Sequence, residues 1–279
     1  MKKISVIGAG QMGLGIAQMG AQAKYDMLMY DISEDVLDKA VTGIIKNLDK
    51  GIERGKLTAG AKEAALSHLK TTTSIDDIAG SELVIEAAPE IVKLKLEIFN
   101  KVCEICGPDV YIATNTSSQS ITELAGGVLR PDRFAGMHFF NPVHLMKLVE
   151  LIRGMETSDE TVAVIKKVAE DMGKEVVEVN EAPGFVTSRM NALIGNEAFH
   201  MLEEGVASAR DIDKAIKLGL NHPMGPFEMI DLVGLDTRLR TMEYLHATLG
   251  ENFRPSVLHR KYVLAGRLGK KVGKGVYEY

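Results

Sequence analysis

Lys3-Ile4-Ser5-Val6-Ile7-Gly8-Ala9-Gly10-Gln11-Met12-Gly13 stands near the start of the chain, and Met27-Leu28-Met29-Tyr30-Asp31 follows it. The first five residues of this stretch read as a short buried strand, and the glycines read as a tight turn. Leu14 to Ala23 reads as a helix, and Met27 to Tyr30 as a second strand. Strand, glycine turn, helix and strand within about 30 residues is the pattern of a βαβ unit, so the chain opens as a parallel α/β domain.

Gly8, Gly10 and Gly13 fit G-x-G-x-x-G. The first allows the turn, the second lets backbone approach a pyrophosphate, and the third lets helix and strand pack closely. The backbone N–H groups of Gln11 and Met12 are then expected to face phosphate at a helix N-terminus. The glycines alone are a weak signal, since such turns are common. Asp31 strengthens it, because an acid at the end of the second strand is suited to the ribose hydroxyls of a dinucleotide. A carboxylate there repels a 2′-phosphate, which favours NAD over NADP. The competing reading of Asp31 is an acid that caps the next helix.

Outward from this unit, Ser33 to Ile52 carries apolar residues at helical spacing (Val36, Leu37, Ala40, Val41, Ile44, Ile45, Leu48, Ile52). A second helix is expected from about Thr58 to Leu69, so that residues 33–69 form a helical excursion. Strands are expected at Leu83–Ile85, Val110–Ala113, Phe134–Phe139, Leu148–Ile152 and Glu175–Val179, with helices at Val92–Ile105 and Ser158–Met172. After Ala182-Pro183-Gly184 only helical segments are expected: Val186–Glu204, Ala207–Leu218, Phe227–Leu249 and Pro255–Ala265. The expected architecture is α/β. A Rossmann-type doubly wound sheet spans residues 1–182, and an all-helical domain spans 183–279.

The whole sequence narrows the function classes. Its 279 residues, 46% of them hydrophobic, can bury a large core without covalent staples. The formal net charge of -5 argues against a nucleic-acid binder, so an anionic ligand must be held by local positive groups. Two cysteines are too few for a disulfide framework, and a reducing, cytoplasmic compartment fits. No apolar run is long enough to span a bilayer, and the early strand leaves no room for a signal peptide. Cys103 and Cys106 form a C-x-x-C with no second pair, so no metal site is expected.

Gly136-Met137-His138-Phe139-Phe140-Asn141-Pro142 puts one histidine at the end of an apolar strand, before a turn signal. Ends of strands beside the cofactor are where such sheets place chemistry. Alone, His138 would more often be structural. Glu150, in the next strand, changes the weighing: a hairpin-like return brings it beside His138. A carboxylate on one ring nitrogen fixes the tautomer and stabilises the imidazolium. An acid within an apolar strand also needs a partner.

With these residues in view, the chain is similar to the 3-hydroxyacyl-CoA dehydrogenases, and in particular to their free-standing bacterial members that act on 3-hydroxybutyryl-CoA. The likeness is carried by Val6 to Gly13, Asn115-Thr116-Ser117-Ser118, His138-Phe139-Phe140-Asn141-Pro142, Pro183-Gly184-Phe185-Val186 and His222-Pro223-Met224-Gly225-Pro226, and it covers essentially the whole chain. The resemblance implies NAD as cofactor and an (S)-3-hydroxyacyl-CoA as substrate. It also implies His138 as general base, Glu150 as its acidic partner, and Ser117 touching both substrate and cofactor. Glu90, Lys95, Asn141 and Lys271 match positions that contact NAD, with a solvated surface lysine as the alternative for Lys95 and Lys271. Ser188 stands where the family often has Asn, which puts its substrate contact in doubt, since Ser reaches less far. A homodimer is implied as well. A dehydrogenase of a free hydroxy acid or sugar acid on the same scaffold is the competing activity.

Lys46, Lys50 and Arg54 recur every four residues opposite the apolar stripe, and Lys56 follows. A solvated helix face is the commoner meaning of such a row. The resemblance implies instead that coenzyme A lies against this excursion, so that Lys50, Arg54 and Lys56 would meet its phosphates. His144 follows the Asn-Pro turn, with no task that the sequence assigns.

Overall fold

The computed structural model describes all 279 residues. The chain divides into two compact units, Met1–Glu181 and Ala182–Tyr279.

The first unit is built on strands β1 (Lys3–Ile7), β2 (Asp26–Tyr30), β3 (Leu69–Thr72), β4 (Leu83–Glu86), β5 (Tyr111–Thr114), β6 (Phe134–Phe139), β7 (Leu148–Arg153) and β8 (Glu175–Asn180). Its helices are α1 (Gln11–Gln22), α2 (Glu34–Glu53), α3 (Ala59–Ser67), α4 (Val92–Cys106), α5 (Ile121–Ala125) and α6 (Asp159–Asp171). The strands form one sheet in the order β3-β2-β1-β4-β5-β6-β7-β8. All neighbours are parallel except β6 and β7, which pair antiparallel with His138 opposite Glu150. The chain order reverses between β1 and β4, the switch point where such sheets open a ligand crevice.

The central strands are continuous apolar runs because both faces are covered. Ile4, Val6, Met27, Met29, Leu83, Ile85, Met137 and Leu151 are buried with Ile16 and Ala17 of α1 and Ile165 of α6. Glycine is required at Gly13, where an added Cβ would run into the carbonyl of Gly8; helix and strand touch there.

Two expectations need correction. The helix expected to reach Leu69 ends at Ser67, and Leu69 begins β3. This edge strand has one apolar residue among Leu69-Lys70-Thr71-Thr72, and its pairing with β2 supplies what the local pattern lacks. The single helix expected over Phe227–Leu249 is two, α9 (Pro226–Val233) and α10 (Leu235–Leu249). Gly234 between them has φ +108°, which no helix accommodates.

The second unit also contains α7 (Thr187–Glu203), α8 (Ala209–Gly219) and α11 (Val257–Leu264). Phe199, Ile212, Phe227, Ile230 and Leu235 form its main core. Asp213, 2% exposed, caps α9 by accepting from the N–H groups of Phe227 (2.8 Å) and Glu228 (3.1 Å). No helix of either unit is long and apolar enough to cross a membrane.

Candidate active site

The C-terminal ends of β1, β2 and β4 open onto a cleft of roughly 670 Å³ lined by Gly8, Gly10, Met12, Asp31, Ile32 and Ala88, among others. The first intrahelical bond of α1 runs from Leu14 N–H to Gly10 O, and no side chain caps the helix. The N–H groups of Gln11 and Met12 therefore have no helical partner, and the first turn carries no acid. A Cβ on Gly10 would meet nothing within 4 Å, so this glycine keeps open space over the helix end. Gly8 sits at φ +100° with Ala87 O close by. Asp31 is held by Ala9 N–H (2.9 Å) and Ser33 N–H (3.1 Å), with its carboxylate on the cleft wall. Uncapped N–H groups, a bare backbone approach and a fixed acid are the features a pyrophosphate and a ribose diol require, and NAD fits this cradle.

Next along the sheet, the end of β4 holds a charged cluster. Glu86 is 0% exposed and Lys95 of α4 is 1% exposed. Lys95 Nζ donates to both carboxylate oxygens of Glu86, at 2.7 and 2.8 Å, and lies 3.6 Å from Glu90. Thr114 Oγ1–H (2.5 Å) and Ala88 N–H (2.6 Å) complete the shell of Glu86. Lys95 is thus no solvated lysine. Glu90 in turn accepts from Thr116 Oγ1–H (2.9 Å) and Ser117 N–H (3.3 Å), which ties the Asn115–Ser118 turn to it. Glu86 went unread in the sequence, although an acid closing the run Leu83-Val84-Ile85 raises the same question of a partner that Glu150 does.

His138 is the last residue but one of β6, whose six residues are all buried; it is 7% exposed, and Glu150 of β7 is 1% exposed. The antiparallel register sets them side by side, with His138 Nδ1 2.8 Å from Glu150 Oε2. Phe140 lies against the imidazole, with ring centroids 4.5 Å apart. Asn115 Oδ1 accepts from Phe139 N–H at 2.9 Å and locks the end of β6 to the turn after β5. Asn141 is exposed at the head of the following loop.

Lys50, Arg54 and Lys56 line a separate cleft of about 220 Å³ with Gln18, Asn47 and His144, and none of the three forms an ion pair with an acid; Lys46 is not part of its wall. The remaining two expected residues belong to the second unit. Ser188 lies half-buried in the first turn of α7. Lys271 bridges Asp236 at 2.6 and 2.8 Å. No group of three or more His, Cys, Asp or Glu residues is arranged to hold a metal.

Known proteins resemble the chain from end to end. The family model described as 3-hydroxyacyl-CoA dehydrogenase, NAD binding domain matches residues 3–182, and that of the family's C-terminal domain matches residues 184–279. A probable 3-hydroxybutyryl-CoA dehydrogenase of Deinococcus radiodurans is 48% identical over 99% of this chain and 100% of its own. The 3-hydroxybutyryl-CoA dehydrogenase of Bradyrhizobium diazoefficiens is 44% identical, covering 100% and 96%. The crystal structure of (S)-3-hydroxybutyryl-CoA dehydrogenase from Ralstonia eutropha superposes with a TM-score of 0.97 at 46% identity, over 100% of this chain and 99% of that one. With both domain models matched and identity of this order along the whole length, the chain belongs to the 3-hydroxyacyl-CoA dehydrogenase family.

Proposed function

We propose that this protein oxidises the 3-hydroxyl group of a short (S)-3-hydroxyacyl-CoA such as 3-hydroxybutyryl-CoA, with NAD as cofactor, and catalyses the reverse reduction of acetoacetyl-CoA. The observation that carries the reading is the buried contact of 2.8 Å between His138 and Glu150, on the same sheet as the glycine turn. Bound NAD supplies the hydride acceptor.

Oxidation of a secondary alcohol needs a base for the hydroxyl proton while hydride leaves the same carbon. Glu150 on Nδ1 keeps a proton there, so the other ring nitrogen of His138 is the one that accepts the hydroxyl proton. The imidazolium formed is then stabilised by the buried carboxylate at its side. Ser117, held in place by Glu90, is the hydroxyl that touches both substrate and cofactor in this scheme, and Glu90, Lys95, Asn141 and Lys271 belong to the cofactor's surroundings. Lys50, Arg54 and Lys56 take the phosphates of coenzyme A.

Residues 1–182 act in this reading as the NAD-binding domain and 183–279 as the substrate and dimerisation domain. Exposed Leu218, Leu220 and Leu264 support a homodimer, since each leaves a large apolar side chain in water on the second unit. A monomer mass by light scattering at micromolar concentration would refute it. Free Cys103 and Cys106 agree with a reducing cytoplasm.

NADH consumption tests the activity, with acetoacetyl-CoA beside free acetoacetate and with NADPH in place of NADH. Rapid turnover is expected only with the thioester and NADH. Equal turnover of the free acid would move the assignment to a free hydroxy-acid dehydrogenase, and equal use of NADPH would remove the ribose role of Asp31.

A further inference from the structure

The loop at residues 143–147, after β6, carries His144 to the C-terminal end of α2. Its ring shares the 220 Å³ cleft with Gln18, Asn47, Lys50, Arg54 and Lys56, and every charged side chain on the wall is basic. Asp49, beside Lys50 in sequence, is turned to Lys62 at 2.5 Å. Lys174, in the turn between α6 and β8, adds another positive charge. It is 6% exposed, and its Nζ donates to the carbonyls of Val143 (2.5 Å) and Met146 (2.8 Å) in this same loop. It meets no carboxylate, and burial holds its ammonium below the usual lysine range; it pins the loop and stands as a positive neighbour of His144.

Lys50, Arg54 and Lys56 on the wall, with Lys174 behind the loop, put four cations around His144 and no ion-pairing acid among them. Burial holds the His144 imidazole below the usual histidine range, and Lys174, Lys50 and Arg54 push it further the same way. The surroundings of the ring therefore favour its neutral form.

We propose that His144 is a phosphate-binding residue of this cleft, and that it takes up a proton from solvent when the phosphate groups of coenzyme A enter. The proposal rests on the coenzyme A thioester reading above. An entering phosphate offsets the field of the four cations and offers acceptor oxygens. Imidazolium then becomes the better state, as a charged donor to phosphate. The linkage has a definite sign. A group protonated in the complex and neutral before it strengthens binding as pH falls, and loses that contribution as pH rises past its value in the complex. The terminal phosphate itself, with a second pKa of about 6, moves the opposite way, because the cations favour its dianion. The histidine's share is therefore read as a difference between variants.

Calorimetry of free coenzyme A binding to the intact protein, in buffers of unlike ionisation enthalpy at pH 7, counts the protons exchanged. Wild type is expected to take up measurably more protons than His144→Asn. His144→Asn is expected to bind several-fold more weakly at pH 6 and nearly as well at pH 8.5. Equal proton counts with binding intact in both proteins would overturn the role of His144 alone. Undiminished coenzyme A affinity in Arg54→Glu, or no coenzyme A binding by wild type, would remove the cleft as a coenzyme A site and the proposal with it.

Discussion

Both units bury acids, and they partner them in different ways. In the first unit Glu150 faces an imidazole and Glu86 faces an ammonium, so each buried carboxylate meets a base. In the second unit Asp213 and Asp231 face backbone N–H groups and tyrosine hydroxyls. Asp231, 0% exposed, accepts from Val276 N–H (2.8 Å), Tyr277 N–H (2.9 Å) and Tyr279 Oη–H (2.9 Å). Asp213 adds Tyr277 Oη–H at 2.7 Å to its capping bonds. A side-chain base can take and return a proton in a reaction, whereas an amide N–H cannot. The first arrangement suits chemistry, and the second suits holding a chain segment in place.

Substitutions can break this contrast. The largest effect is expected at His138. His138→Ala should lower kcat for acetoacetyl-CoA reduction by about 10²- to 10⁴-fold, the usual worth of a positioned acid–base group. A loss under threefold would take the proton-transfer role from it. Glu150→Gln should cost about 10- to 100-fold in kcat with the KM for NADH little changed, because the amide still fills the space but no longer stabilises an imidazolium. An equal fall in kcat/KM for NADH and in thermal midpoint would make Glu150 structural, like the acids of the second unit.

Asp231→Asn should act in the opposite sense. The amide presents N–H where the tail presents N–H, so a buried donor goes unpaired at a cost of about 1–3 kcal/mol. Gly269 and Gly275 pack directly on Asp231, so no water can replace the lost bond without moving the tail. Denaturant midpoints of Asp231→Asn and Glu150→Gln, measured side by side, test the contrast. A larger stability loss in Glu150→Gln would reverse it. The exposed cations of α2 are a third case, charges with no protein partner at all. Arg54→Glu should raise the KM for acetoacetyl-CoA about tenfold and leave that for NADH alone, and an unchanged KM would return this face to ordinary solvation.

How much of this was legible beforehand depended on whether the signal was local. The glycine turn, α2 and the β6–β7 return were readable because each element states its period or its turn within its own residues. The pairing of His138 with Glu150 followed from one inference, that a buried acid needs a partner. The same inference was open at Glu86, but its partner Lys95 sits on a helix, and the helix pattern gave no sign that this lysine points inward. β3 was not legible because an edge strand with two lysine- and threonine-rich exposed positions takes its conformation from β2. The break at Gly234 was missed because apolar spacing continues across it, and only the φ of one glycine shows the interruption. His144 had no readable task because its neighbours come from α2 and from the turn at Lys174, both far away in sequence.

The smallest effect expected is at Ser188, where the chain departs from its family's usual Asn. The residue lies in the first turn of α7, half-buried, on a helix whose N-cap makes no side-chain hydrogen bond. A serine hydroxyl reaches less far than a carboxamide and offers one donor. Its loss should remove one uncharged hydrogen bond at most, about 2- to 10-fold in kcat/KM. Ser188→Ala is therefore expected to fall well short of His138→Ala. Ser188→Asn carries the sharper information, since it restores the family's longer arm. If it raises kcat/KM with acetoacetyl-CoA, the helix still faces the substrate and the serine is a weakened contact. If Ser188→Ala loses as much as His138→Ala, the hydroxyl works as closely on the substrate as the base does, and the ranking of the second unit below the first in catalysis is wrong.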